Sequence, residues 1–374
     1  MRENTKLKSY QLTELSSLKV YGRTTGCLSP LTMFWTGTAL ELNVTGSELW
    51  IEVEADYEIY EPWISILINS VPVGRQMITA GKHWICVFRT MNDKNIKNVR
   101  IIKDVQAMSA DPECCLQIHT VKSDGEFMPI EEKPCKIEFI GDSITSGEGA
   151  IGAKTEEDWI PMWFSAINNY AYMTAQVLNA DYRIISQSGW GVYTSWDNNP
   201  HGNIPDYYEK VCGLLTGEKN QALGAFDENN FIIWQPDFIV VNLGTNDAGA
   251  FNNPKWTDEA TGESHQQRLM EDGSFHKEDL RAFINAAEKF LKRLRNCNHN
   301  AYIIWAYGMI GDCMLPAIRS AIEEYRQETG DKKVSLLKLP DTTMETIGAR
   351  QHPGKLAHQA AAKELIDYIR NLIS

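Results

Sequence analysis

The first third of the chain alternates apolar and polar residues with the two-residue period of β-strands. Residues 39–44 read Ala-Leu-Glu-Leu-Asn-Val, and residues 49–54 resume the alternation after a Thr-Gly-Ser turn. Further strand-like runs lie at residues 63–73, 83–89 and 97–105. Short strands at close spacing, with Gly, Asn and Pro between them, predict an all-β sandwich.

From residue 137 onward, short apolar strands alternate with helical segments. Residues 137–140 and 238–243 are apolar runs typical of buried parallel strands, and residues 280–294 carry apolar side chains at helical spacing. Further strands are predicted at 182–185, 302–306 and 334–339, and further helices at 170–178, 316–327 and 354–373. This order predicts a three-layer α/β/α domain with a parallel sheet.

A polar, proline-bearing stretch separates the two patterns. Chains of 374 residues commonly form two domains, and boundaries fall in such stretches. We therefore expect a β-sandwich over residues 1–125, a linker over 126–136 and the α/β/α domain over 137–374.

The formal net charge of −13 narrows the class of partner. It argues against nucleic acid and anionic membrane surfaces, because both recruit basic proteins. The N-terminus has no apolar signal segment, and no run approaches the roughly 18 apolar residues that span a bilayer. A cytoplasmic location and a neutral substrate are the resulting expectations, and the oligomeric state stays open.

Three glycine-containing loops follow predicted strands, where parallel sheets place their active sites. Gly141-Asp142-Ser143 could present the Ser143 hydroxyl at a helix start, although Ser143 could also be only a helix cap. Gly189 and Asn246 lie in the second and third loops, where an N–H group of each could point into the same crevice. Alone, each of these two loops could also be an ordinary turn.

His352 precedes a proline, which holds it in extended backbone ahead of the last predicted helix. Together these residues supply a nucleophile, a base and oxyanion donors, the parts that acyl transfer requires. None of them calls for a metal or cofactor.

From about residue 137 to the end, the chain resembles the SGNH or GDSL hydrolases, because it carries their four sequence blocks in the same order. These blocks are Gly141-Asp142-Ser143, Gly189, Gly244-Thr245-Asn246-Asp247 and His352-Pro353. The resemblance implies that Ser143 is the nucleophile and His352 the general base. It also implies that the backbone N–H groups of Ser143 and Gly189 and the Asn246 amide form the oxyanion hole.

The N-terminal region narrows the resemblance. Residues 20–23, Val-Tyr-Gly-Arg, and 34–47, Phe-Trp-Thr-Gly-Thr-Ala-Leu-Glu-Leu-Asn-Val-Thr-Gly-Ser, look like the opening of carbohydrate esterase family 2. Those enzymes join a jelly-roll sandwich to an SGNH domain and remove acetyl groups from xylan, mannan and their oligosaccharides. The resemblance therefore implies an acetylated oligosaccharide as substrate.

One position departs from the SGNH pattern. Most members have an aspartate three residues before the histidine, where this chain has Ala349. The resemblance to family 2 implies a Ser–His dyad, in which a backbone carbonyl can fix the histidine tautomer. Asp341 or Glu345 could substitute if the loop folds back.

Sugar rings stack on aromatic faces, so Trp190, next to Gly189, is the first candidate for a substrate wall. Trp163 and Trp305 are further candidates, although each tryptophan could instead fill the core.

Two other functions stay open. The chain could be a carbohydrate-binding protein with a degenerate SGNH domain, or an esterase or thioesterase acting on non-carbohydrate acyl groups.

Overall fold

The computed structural model describes residues 7–373, which form two compact units. The first unit contains the chain up to Lys133 together with Ile160–Met162 and Lys210–Asn229. The second unit contains Pro134–Trp159, Trp163–Glu209 and the chain from Asn230 onward.

The first unit is a β-sandwich, as the alternating pattern predicts. Its strands are β1 (Lys8–Gln11), β2 (Lys19–Tyr21), β3 (Leu31–Thr32), β4 (Ala39–Val44), β5 (Leu49–Asp56), β6 (Trp63–Ile68), β7 (Val71–Met77), β8 (Gly81–Phe88), β9 (Lys97–Lys103), β10 (Cys115–Ser123) and β11 (Phe127–Met128). One antiparallel sheet has the order β1-β10-β5-β8, with β3 beside β10. The other has the order β11-β4-β9-β6-β7, with β2 beside β4.

Strand β5 shows how the sequence builds this core. Leu49, Ile51 and Val53 are fully buried, while the residues between them are only partly buried. They pack in one cluster with apolar side chains of the second sheet, including Leu42 and Ile64. Burial of one face of each sheet is what the two-residue period requires.

The apolar run at residues 63–73 is two strands rather than one. Asn69 and Ser70 both have positive φ, at 52° and 65°, and form the turn between β6 and β7. Two consecutive left-handed residues are the signature of a tight hairpin turn. In the sequence, the polar Asn-Ser pair is the signal for this turn, but the hydrophobic residues on either side obscure it.

The predicted linker region contains ordered structure. Strand β11 pairs antiparallel with β4, with Phe127 opposite Val44. The next strand begins at Cys135.

The first unit also includes a segment from far along the chain, Lys210–Asn229, with helix α3 (Glu218–Ala222). The Trp35 indole N–H donates to the carbonyl of Val211 at 2.7 Å. The buried Asn220 amide donates to the carbonyls of Pro112 and Cys114 at 3.0 and 3.2 Å. This segment is therefore hydrogen-bonded to residues early in the chain within the same unit.

The second unit is a parallel sheet between helices. Its strands are β12 (Cys135–Gly141), β13 (Ala180–Ser186), β14 (Phe238–Asn242), β17 (Tyr302–Gly308) and β18 (Val334–Leu339), and a separate hairpin is formed by β15 (Trp256–Thr257) and β16 (Ser264–His265). The helices are α1 (Ser143–Ser146), α2 (Tyr170–Val177), α4 (Thr245–Ala250), α5 (Lys277–Cys297), α6 (Leu315–Thr329) and α7 (Lys355–Ile373).

The sheet order is β13-β12-β14-β17-β18, and all of these pairs are parallel. Helices α5 and α6 pack together, as do α2 and α7, which gives the predicted three-layer architecture. The three strands β13, β12 and β14 are adjacent, so the loops that follow them meet at one edge.

Among residues 7–373, no helix combines the length and the apolar character needed to cross a bilayer.

Candidate active site

The predicted site residues lie in loops at the carboxyl edge of the parallel sheet. Ser143 follows β12, Gly189 follows β13 and Asn246 follows β14. These three strands are neighbours in the sheet, so their loops converge. His352 lies in the loop before α7, which brings it to Ser143.

Ser143 is the first residue of the short helix α1. The preceding Asp142 caps this helix, because its carboxylate accepts the N–H of Ile144 at 3.0 Å. Asp142 is fully buried, and the loss of solvation raises the pKa of its carboxyl to about 7. Asp142 is therefore the N-cap residue of α1, and the Ser143 hydroxyl is available to bond the histidine.

The Ser143 hydroxyl and the His352 ring form a hydrogen-bonded pair. The distance from Ser143 Oγ to His352 Nε2 is 3.0 Å, and His352 Nδ1 lies 2.8 Å from the backbone carbonyl oxygen of Arg350. A carbonyl can only accept, so Nδ1 carries the proton and Nε2 is free to accept from the serine. This is the tautomer that a general base needs.

The backbone carbonyl, rather than a carboxylate, contacts the outer nitrogen of His352. Asp341, one of the two predicted substitutes for the missing acid, is half exposed and lies 3.8 Å from Lys338. Within the described residues, neither Asp341 nor Glu345 is hydrogen-bonded to His352. Ala349 is buried at the position of the usual aspartate.

Gly189 lies in the second loop with a φ of +79°. A Cβ added there would lie 2.9 Å from Cδ1 of Trp196, so only glycine fits without strain or displacement of the indole. The backbone N–H of Trp196 donates to the Gly189 carbonyl at 2.9 Å, which holds the two residues together.

The side-chain amide nitrogen of Asn246 is hydrogen-bonded within the protein. Its amide nitrogen donates to Asp142 Oδ2 at 3.2 Å and to the carbonyl of Trp190 at 2.9 Å. Asn246 therefore ties all three loops together at the carboxyl edge of the sheet.

The neighbouring Asp247 is a buried anchor that the sequence analysis missed. Its carboxylate accepts the backbone N–H groups of Val192, Tyr193 and Thr194 at 2.9, 2.8 and 3.1 Å. Burial raises the pKa of Asp247 to about 6, against the opposing effect of these three donors. The available signal was the aspartate directly after Asn246, to which the sequence analysis assigned no role.

Glu148 is a second functional candidate that the sequence analysis missed. Only 2% of its side chain is exposed, and its Oε1 accepts from Arg350 Nε at 2.9 Å. The same oxygen lies 3.8 Å from His352 Nε2. A glutamate between Gly147 and Gly149 was the signal, since glycines on both sides permit a close approach of chains.

The tryptophans fall into different environments. Trp305 is fully buried and its indole N–H donates to the carbonyl of Leu243, so it has no face for a sugar and its prediction as a substrate contact is not kept. Trp190 is half-buried and its ring lies 5.2 Å from that of Tyr207. Trp163 is half-buried and Gly152 lies against its ring. Trp196, which was not predicted, is 52% exposed beside Gly189.

The fold and the site together define a class. A parallel α/β/α sheet that presents a serine hydroxyl, an imidazole of fixed tautomer and a glycine loop at one edge has the parts of a serine ester hydrolase.

Comparison with known proteins agrees with this class. Residues 137–365 match the model of the family described as GDSL-like Lipase/Acylhydrolase. An acetyl xylan esterase, Est2A, from the rumen bacterium Butyrivibrio proteoclasticus is similar in structure, with 46% identity, 98% of each chain covered and a TM-score of 0.97.

Two further relatives are more distant. The acetylxylan esterase / glucomannan deacetylase of Cellvibrio japonicus is 27% identical over 92% of this chain and 85% of its own length. A family two carbohydrate esterase from Clostridium thermocellum, solved in complex with cellohexaose, has the same fold at 22% identity, with a TM-score of 0.77 over 96% of this chain and 99% of its own.

The chain belongs to the GDSL-like lipase and acylhydrolase family. It is a carboxylic ester hydrolase, and its similarity to carbohydrate esterases of family 2 extends over both compact units.

Proposed function

We propose that this protein removes O-acetyl groups from acetylated oligosaccharides derived from xylan or mannan, with Ser143 as nucleophile and His352 as general base. The observation that carries the proposal is the Ser143–His352 hydrogen bond of 3.0 Å, with the outer nitrogen of the ring held by the Arg350 carbonyl. The choice of substrate rests on the names of the relatives, an acetyl xylan esterase and an acetylxylan esterase / glucomannan deacetylase.

The reaction begins when His352 Nε2 accepts the proton of the Ser143 hydroxyl as its oxygen attacks the acetyl carbonyl carbon. The carbonyl π-bond opens to an oxyanion, and collapse of the tetrahedral intermediate breaks the bond to the sugar oxygen. The His352 imidazolium gives its proton to that oxygen, and the sugar leaves. Water then attacks the acetyl-enzyme while His352 accepts one of its protons. The bond from the acetyl carbon to Ser143 Oγ breaks, that oxygen takes the proton back from His352, and the acetyl group leaves as acetic acid, which ionises to acetate.

The oxyanion would be bound by backbone N–H groups. The N–H of Ser143 is at the start of α1, where backbone donors have no partner within the helix. The Gly189 N–H is the second donor. Asn246 is the third predicted donor, and to act it must share or release the Trp190 carbonyl that its amide contacts. Each such donor contributes about 2.7–4 kcal/mol to transition-state stabilisation.

Trp196 is placed to contact the sugar, which is the alcohol part of the ester. Its exposed ring lies against Gly189, so an acetyl ester whose oxygen meets the Gly189 N–H would bring its sugar towards this indole. We propose Trp196 as the main stacking face, with Trp190 and Trp163 as further candidates.

The alternatives from the sequence are less well supported. A degenerate binding protein has no need of a serine and histidine in hydrogen-bonding contact, and this pair is intact. An esterase for longer acyl groups or non-carbohydrate substrates is the other alternative. Comparing rates on acetyl and octanoyl esters tests the preferred length of the acyl chain. The jelly-roll connectivity of the sandwich and the cytoplasmic location stay predictions.

The test is acetate release from acetylated xylo- and manno-oligosaccharides, followed by NMR, with wild type and the Ser143→Ala variant. We expect the wild type to release acetate and the variant to lose at least 1,000-fold in kcat, on the order of a triad deletion. Near-full acetate release by Ser143→Ala would contradict the assignment. A preference of the wild type for octanoyl over acetyl esters would contradict the substrate class.

A further inference from the structure

The loop that orients His352 has an unusual backbone. Arg350 and Gln351 both have positive φ, at 54° and 55°. Neither is a glycine, so both occupy a region that L-residues rarely adopt and that costs free energy. This conformation places the carbonyl of Arg350 2.8 Å from His352 Nδ1. The surrounding contacts must therefore compensate for the strain.

Those contacts converge on Arg350. Its backbone N–H donates to the carbonyl of Glu156 at 2.7 Å, and Nη1 donates to the carbonyl of Glu157 at 2.8 Å. Its Nε donates to the Glu148 carboxylate at 2.9 Å. Glu148 is the charged partner in this set, and it is almost completely buried, which makes its pairing with Arg350 obligatory.

Glu148 is also close to the reacting nitrogen. The oxygen that accepts from Arg350 lies 3.8 Å from His352 Nε2, on the ring side that faces Ser143 and opposite the Arg350 carbonyl. A negative charge at this distance favours the imidazolium over the neutral ring. The imidazolium is the form that accumulates charge as the serine loses its proton.

Gly149 allows this approach. A Cβ at Gly149 would lie 2.3 Å from the carbonyl oxygen of Ala349 and 2.6 Å from Cβ of His352. The segment that carries Glu148 is thus packed directly on the histidine loop, and the Ala349 N–H donates to the Gly149 carbonyl at 3.2 Å.

We propose that Glu148, through its ion pair with Arg350, is the positioning residue that replaces the missing triad acid. It fixes the strained loop so that the Arg350 carbonyl meets Nδ1, and it stabilises the imidazolium from the Nε2 side. This inference rests on the proposed function, because it assigns a role within the same Ser–His pair.

The charges around His352 define the sign of the expected effects. Glu148 is the near anion and Arg350 the near cation. Asp142 is a buried carboxyl whose pKa is raised mainly by burial and in part by Asp247 and Glu148. His358 is buried, and desolvation together with the charge of His352 lowers its pKa to about 3, so it stays neutral. Glu148 and Arg350 therefore act on His352 with opposite sign.

The experiment compares Glu148→Gln and Arg350→Gln in the pH dependence of kcat/KM on 4-nitrophenyl acetate. Without the anion, the imidazolium is less stabilised, and the acidic limb of the pH profile moves to lower pH by about one unit. Without the cation, Glu148 is unbalanced and the limb moves to higher pH. In both variants kcat falls roughly 10- to 100-fold with little change in KM, since the whole proton-transfer step contributes about 10²–10⁴-fold.

The matched control is Asp158→Asn, which removes an exposed carboxylate directly after Glu157. It should leave kcat and the acidic limb of the pH profile unchanged. A purely structural role for the ion pair would lower activity in both variants without moving the limb in opposite directions. An unmoved limb in Glu148→Gln, or shifts of the same sign in both variants, would overturn the proposal.

A second readout does not depend on turnover. NMR titration of the His352 ring, in the Ser143→Ala background with and without each substitution, should give the same opposite shifts. If Ser143→Ala itself remains active, the proposed function fails. If Ser143→Ala is inactive and the His352 titration is insensitive to Glu148, only this inference fails.

Discussion

At the scale of single residues, the distinctive feature of the site is the group that takes the place of the usual triad aspartate. Ala349 occupies the position of the usual acid, and the Arg350 carbonyl takes over its hydrogen bond to His352 Nδ1. A neutral carbonyl fixes the tautomer but stabilises an imidazolium less than a carboxylate does. A carboxylate oxygen of Glu148 lies 3.8 Å from the other ring nitrogen, Nε2.

Trp196 gives a prediction at this scale. Because its exposed ring adjoins Gly189, Trp196→Ala should raise KM for an acetylated oligosaccharide about tenfold, equal to roughly 1.4 kcal/mol of lost stacking. On 4-nitrophenyl acetate, which has no sugar, KM should hardly change. Steady-state kinetics on the two substrates give the comparison.

The matched control for that substitution is Trp234→Ala. Trp234 precedes β14, at the amino edge of the sheet, and packs under Arg183, so it should not affect either KM. Trp190→Ala belongs in the same series, because Trp190 was the first candidate from the sequence. Equal effects of Trp196→Ala on both substrates would argue against stacking.

At the scale of elements, one buried carboxylate organises the loop after β13. Asp247, in the first turn of α4, accepts three consecutive N–H groups of that loop. The helix that follows β14 therefore fixes the loop that follows β13. The Gly189 N–H, a proposed oxyanion donor, lies just before the anchored residues. Its placement therefore depends on Asp247.

Asp247→Ala should accordingly disturb both stability and catalysis. The loss leaves three backbone donors without an acceptor in a buried place, which costs at least about 1–3 kcal/mol in the free energy of unfolding. We expect kcat to fall more than KM rises, because a displaced oxyanion donor acts on the transition state. Urea denaturation and kinetics on 4-nitrophenyl acetate measure the two effects.

Glu259→Gln is the control for Asp247→Ala, because it removes an exposed carboxylate from the second unit. Wild-type stability in Asp247→Ala would show that the three N–H groups find other partners. Lost stability with unchanged kcat would separate the anchor from the oxyanion loop.

The elements also show which part of the fold the sequence reveals. The last helix was predicted at residues 354–373 and is observed at Lys355–Ile373, because its apolar repeat and the preceding Pro-Gly pair agree. The strand at 63–73 was wrong as a single element, because the Asn69–Ser70 turn depends on two backbone conformations rather than on hydrophobicity. Helix and strand boundaries can therefore be predicted where the hydrophobic pattern and the turn residues agree.

At the scale of the whole molecule, pairings between distant residues are what the sequence does not reveal. Lys210–Asn229 belongs to the sandwich unit, and no local pattern predicts that Val211 meets Trp35 or that Asn220 meets Pro112. Ser143 and His352 could be paired from the sequence because both lie in loops next to predicted strands or helices and because their motifs resemble those of a family. Glu148 and Arg350, which lie outside those motifs, were missed.

The central claim, that Ser143 is a nucleophile activated by His352, is tested most directly by covalent labelling. An alkyl fluorophosphonate, which reacts with activated serines, is incubated with the wild type and with His352→Ala, and the adduct is located by peptide mass spectrometry. The account predicts one adduct per chain, on Ser143, that abolishes esterase activity and forms far more slowly without His352. An adduct on another residue that accounts for the loss of activity, or full activity with Ser143 labelled, would contradict it.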